Sequence, residues 1–145
     1  MNKYELRAII TVCILMAGFI FALLFSVFGQ QIDVPACVPY SGGYTKPHVK
    51  VLDGLTWEIY GVAHMWAFEP QDITVPAGIT VNFYLTSSDV VHGFDIVNKG
   101  VNLMAVPGAV AKTSITFDRA GVYQIVCHEY CGVGHQNMMG KITVR

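Results

Sequence analysis

Charge is scarce in this chain of 145 residues: Asp, Glu, Lys and Arg make up 13% of it, against 53% apolar residues. The net charge is −1 and the basic residues are scattered. No basic stripe forms, so there is no footprint for nucleic acid. No Cys-x-x-Cys-His occurs, so there is no signature for covalently attached haem. The four cysteines, Cys13, Cys37, Cys127 and Cys131, do not frame a disulfide scaffold, because only two of them lie near each other.

The sharpest absence is local. From Ala8 to Phe28, 21 residues, there is no charged side chain. As a helix this run would span roughly 30 Å, the thickness of a bilayer core. Lys3 and Arg7 precede it, and no Lys or Arg follows until Lys46. That asymmetry predicts a cytoplasmic N-terminus, with the bulk of the chain outside. A cleaved secretory signal would be shorter in its apolar part. Val34-Pro35-Ala36-Cys37 only weakly resembles a lipoprotein cleavage box, since it lies well past the run and carries a proline. The expected organisation is 1–7 as cytoplasmic N-terminus, 8–28 as membrane span, 29–50 as linker and 51–145 as one globular domain. Pro35, Pro39, Gly42, Gly43 and Pro47 give the linker its composition.

Beyond about Val51 the chain reads as short strands separated by turn residues. Thr56–Tyr60, Asp72–Val75, Ile79–Leu85, Gly93–Val97, Thr113–Phe117, Gly121–Val126 and Lys141–Val144 are the expected strands. No amphipathic helix of useful length is expected after the span. The predicted class is mainly β, as a sandwich or barrel.

What is concentrated is soft ligand chemistry. Cys127, Cys131, His135 and Met138 fall within twelve residues, spaced Cys-x3-Cys-x3-His-x2-Met. Thiolate, imidazole and thioether select copper, zinc or iron–sulfur over magnesium or calcium. The segment sits between two predicted strands, which would pin both its ends. Two cysteines four apart also suit a zinc half-site or a disulfide. A structural zinc site closes with a second paired element, which Cys13 and Cys37 do not form. A disulfide leaves the His and Met spacing unexplained.

With His92 in Ser88-Asp89-Val90-Val91-His92-Gly93-Phe94, this pattern resembles cytochrome c oxidase subunit II and its binuclear copper centre, CuA. The resemblance runs from about Trp57 to Val144 and takes in the anchor. Gly132-Val133-Gly134-His135-Gln136-Asn137-Met138-Met139-Gly140 is similar to the compact B-type haem–copper oxidases of bacteria and archaea. It implies a cupredoxin-like Greek-key barrel behind one N-terminal transmembrane helix. It also implies that Cys127 and Cys131 bridge two coppers and that His92 and His135 each bind one. Met138 and the backbone carbonyl of Glu129 would be the weak axial ligands. The family commonly has two membrane helices, and this chain shows one, so a small additional membrane subunit is implied in the missing place.

The implied function is electron entry into a terminal respiratory oxidase in the cell inner membrane, with the copper domain on the periplasmic or extracytoplasmic side. Cytochrome c would be the donor, and haem–copper oxidase subunit I the partner that carries the haems, the oxygen chemistry and proton translocation. No catalytic residue is expected on this chain. Trp66 and Phe68 occupy the segment where the family takes in electrons; ordinary packing is the plain alternative for both. The Glu129 carboxylate matches a place where relatives share magnesium with subunit I; a solvated side chain is the alternative. Asp89 would orient the His92 segment by hydrogen bonding, as partners of ligand histidines do; a simple turn residue is the equal alternative. His48, His64, His128 and Met139 carry no expected role. A membrane-tethered copper-delivery or storage protein is the competing function, and it predicts exposed, exchangeable Met or His clusters.

Overall fold

The computed structural model describes residues 2–29, the backbone of 36–38, and 44–145. Pro35, Pro39, Gly42, Gly43 and the Cys37 side chain, all assigned above to the linker, lie outside the described residues.

The first unit is a helix, α1, over Lys3–Leu24, widening into a π-type turn over Phe25–Gly29. Its start is fixed by reciprocal capping: the Tyr4 amide donates to the Asn2 side chain, and the Asn2 amide donates to the Glu5 carboxylate at 2.9 Å. None of its side chains is buried within the protein. A helix apolar on every side suits a membrane span, where its backbone is satisfied internally and lipid meets the side chains. Lys3–Gly29 is the one such helix among the described residues.

The second unit is two β-sheets. The strands are β1 (Ala36–Val38), β2 (His48–Val51), β3 (Thr56–His64), β4 (Ala67–Glu69), β5 (Asp72–Val75), β6 (Thr80–Ser87), β7 (His92–Ile96), β8 (Val101–Ala105), β9 (Val110–Thr116), β10 (Gly121–Val126) and β11 (Met139–Val144). One sheet runs β1-β9-β6-β3-β2, with β4 also paired to β3; the other runs β5-β11-β10-β7-β8. The β3/β6 and β5/β11 pairs are parallel, and the rest are antiparallel. The fold is the expected mainly β, cupredoxin-like barrel, preceded in the chain by one apolar helix.

Alternation builds the core. In β6, Val81, Phe83, Leu85 and Ser87 point inward while their neighbours are half-buried. From the other sheet Phe94, Ile96, Ile125 and Ile142 meet them, each no more than 3% exposed. β1 and all but the last residue of β2 fall within the segment expected as linker. β2 is exposed at every residue and is held by its ladder to β3 and by His48 stacked on Tyr60 at 4.2 Å. β8 was not expected either, because exposed Met104 hides the alternation of buried Val101, Leu103 and Ala105.

The topology gathers three loops at one end. β7 runs antiparallel to β10, so His92 at its start lies near Cys127 at the end of β10. The loop 127–138 joins β10 to β11, and the Cys127 amide closes its base on the Met138 carbonyl at 3.2 Å. The β3–β4 turn, Met65 and Trp66, lies beside the turn after β6, because β3 and β6 are parallel and reach Ala63 and Ser87 in register.

Candidate metal centre

His92 is fully buried. Its Nε2 lies 2.7 Å from Asp89 Oδ1. Burial alone would raise the Asp89 pKa; hydrogen bonds from His92, the Met65 and Val90 amides and Ser87 outweigh it and hold the value down to about 2. An ionised carboxylate can only accept. The imidazole proton therefore sits on Nε2, and Nδ1 keeps its lone pair. That Nδ1 is buried and has no hydrogen-bond partner in the protein. A buried, unpaired acceptor costs about 1–3 kcal/mol unless something binds it, so it is a place for a ligand or a metal.

Two thiols stand where that lone pair is available. His92, Cys127 and Cys131 each bring a ligand atom within 4.8 Å of the others, all buried. The Cys127 and Cys131 sulfurs are 3.8 Å apart. A disulfide needs about 2.05 Å, so both thiols are free. His135 Nδ1 lies 3.5 Å from Cys131 Sγ, and Met138 Sδ lies 3.7 Å from it. Met138 is 1% exposed, so its thioether is committed to the cluster. The Cys127 thiol donates to the Glu129 carbonyl at 3.3 Å. All six groups expected as ligands thus converge. Burial, reinforced by the Cys127 thiol beside it, pushes the Cys131 thiol up to about 11. Such a pair of buried thiols is poised for a cation that can replace their protons, and the soft donor set fits copper.

Residues 56–144 match the family described as cytochrome c oxidase subunit II, periplasmic domain. The chain is 42% identical over 118 residues to cytochrome c oxidase subunit 2 of Thermus thermophilus, covering 80% of this chain and 87% of that one. The chain belongs to the cytochrome c oxidase subunit II family. A subunit of a solved heme-copper terminal oxidase dimer superposes with a TM-score of 0.89 at 35% identity, over 99% of this chain and all of that one. The periplasmic domain of the subunit II of Bradyrhizobium japonicum shares the fold, with a TM-score of 0.57 at 22% identity over 61% of this chain and 83% of that one. As a member of this family the chain is a subunit of an oxidase complex, with subunit I as its expected partner, and its His/Cys/Cys cluster points to copper. One N-terminal apolar helix and a periplasmic-domain family fit a single-pass protein with the β domain outside.

Within this subunit II fold, Trp66 is 44% exposed and lies against the ligand loop. A β-carbon at Gly134 would stand 3.1 Å from Trp66 Cδ2, and one at Gly132 would stand 3.4 Å from its Nε1. Both glycines have positive φ, +110° and +119°, so the loop needs glycine for its backbone as well as for the indole. Phe68 does not share that surface. It is 2% exposed and packs edge-on to Phe94 at 5.4 Å, because β4 turns its side chain into the core. The Glu129 carboxylate is half exposed, 3.8 Å from His128 Nδ1. Met139, 47% exposed, points away from the thiols, as the alternation of β11 requires. His128, given no role from the sequence, lies against Gly93 of β7, a contact that no local spacing could have shown.

Proposed function

We propose that this subunit holds a binuclear copper centre and uses it to take single electrons from cytochrome c and deliver them to haem on subunit I. Cys127 and Cys131 would each bridge both metals. His92 Nδ1 would bind one copper and His135 Nδ1 the other. Met138 and the Glu129 carbonyl would be the axial groups. When bound, the copper pair supplies a one-electron store whose charge is shared over two metals.

The observation that carries this reading is the pair of free thiols 3.8 Å apart beside the unpartnered Nδ1 of His92. The chain's own residues suit electron transfer more than metal hand-over. The thiols and thioether are buried, so copper exchange would require the loop to open. Asp89 holds the His92 ring in one orientation. The loop ends are tied by the Cys127–Met138 backbone bond. A delivery protein instead needs exposed, exchangeable ligands.

Trp66 is an exposed aromatic packed against the glycines of the loop, and we assign donor entry to it. The helix would cross the inner membrane over 8–28, with segment 29–50 leading to the domain at 51–145. A small additional membrane subunit would stand where relatives have a second helix. The Glu129 carboxylate, exposed beside the ligand loop, would reach a magnesium ion shared with subunit I; magnesium commonly takes only one or two protein carboxylates. The assembly tests the whole reading. Purified with subunit I, the protein should pass electrons from reduced cytochrome c to haem, and removal of its copper should stop that transfer. Transfer at an undiminished rate without copper would refute it.

A further inference from the structure

We infer that His128 and Gly93 form a stacked latch that positions His92 against the thiol loop. A β-carbon built on Gly93 would lie 2.7 Å from Cγ, Nδ1 and Cε1 of His128 at once. Equal distances to three atoms of one five-membered ring place that point over the ring's centre. The face of the imidazole therefore covers the place where a Gly93 β-carbon would stand. With a β-carbon at Gly93 the ring would have to shift, since a real β-carbon does not approach other atoms so closely.

The sheet leaves a gap at this place, and the contact fills it. β7 and β10 pair at Ile96 with Ile125 and at Asp95 with Val126. That ladder ends three residues short of His92. Beyond it, the start of β7 and the loop after β10 are not joined by register pairs. His128 adjoins Cys127, and Gly93 adjoins His92. One stacked contact thus sets the separation between a ligand histidine and a bridging thiol. Asp89 controls the rotation of the His92 ring through its bond to Nε2. The latch controls its distance. His128 is a positioning residue: the ring reaches the site through Gly93.

The role toward copper rests on the reading of His92 as a ligand; the contact itself does not. A double-mutant cycle on the full-length protein in detergent separates the two. In the metal-free protein, Gly93→Ala should lower the melting temperature by about 5 °C or more, because the methyl overpacks the ring. In a His128→Ala background the same methyl should fit, and the drop should largely vanish. In the copper-loaded protein, His128→Ala should change the nitrogen hyperfine coupling of the centre and shift its potential. His128→Phe, which keeps a flat ring, should restore the native spectrum. Equal effects of Gly93→Ala in both backgrounds would overturn the latch. So would a His128→Ala protein with native nitrogen coupling and potential. Absence of copper from the native protein would overturn the copper reading and the positioning role with it, while the melting cycle would still register the contact.

Discussion

Asp89 Oδ1 stands 2.7 Å from His92 Nε2, and Asp89 Oδ2 accepts the Met65 amide at 2.6 Å. One carboxylate therefore orients a ligand histidine and holds the turn that carries Trp66. Asp89→Asn removes a negative charge near the centre, and a carboxylate favours the more positive, oxidised metal. Its loss should raise the reduction potential on the order of tens of mV while copper stays bound. Potentiometric titration checks this; an unchanged potential would contradict it.

The same group sets an acid limit on the metal-free domain. Its folded pKa is depressed from 3.8 to about 2. Its stabilising effect is thus present above pH 4 and lost as pH falls toward about 2. Melting temperatures across that window should fall, and Asp89→Asn should flatten part of the decline. A variant with the same acid profile as the native protein would remove Asp89 from the account.

Cys127→Ser and Cys131→Ser should each abolish the shared centre, because each removes a bridge. Met138→Leu should keep it. The swap nearly conserves volume at a 1% exposed site and costs under about 1.5 kcal/mol. It removes only a weak ligand, so the potential should move. Optical spectra of the loaded proteins decide; a native spectrum in either serine variant would defeat the bridging assignment.

Much of this cluster was legible in the sequence, because five of its six donor groups lie in one short loop. His92 and Asp89 were also legible, through their short segment. The packing around them was not. Phe68 and Trp66 are two residues apart in aromatic surroundings, yet one is buried and the other half-exposed. Sequence puts both in one entry segment, with Phe68 the weaker candidate, and only the β3–β4 turn shows that one is buried and the other is not. Likewise His128 meets Gly93 across 35 positions of chain, a contact with no local signature. β2 escaped notice for a related reason: it is held by backbone pairing and one ring stack rather than by an apolar face of its own.

That separation of Trp66 from Phe68 predicts opposite phenotypes. Trp66→Ala should slow the first electron from cytochrome c while costing on the order of 1 kcal/mol of stability. Phe68→Ala should cost about 3–5 kcal/mol, as a large core truncation does, and act on entry only through instability. Stopped-flow kinetics and thermal melts tell them apart. Unchanged entry in Trp66→Ala would end its assigned role.

Copper uptake should release protons. In the metal-free protein the Cys131 thiol is held up to about 11, so at neutral pH the metal must displace its proton. Apparent affinity should rise with pH over the range below that value. Titration of the reduced protein in weak buffer measures the release directly; uptake with no proton released would contradict the thiolate ligation.

The most direct measurement is copper stoichiometry taken with paramagnetic resonance on the same loaded sample. Two coppers per chain, with one unpaired electron split by both nuclei, is the result expected from two thiols 3.8 Å apart between His92 and His135. One copper per chain, with the splitting pattern of a single nucleus, would contradict the central claim.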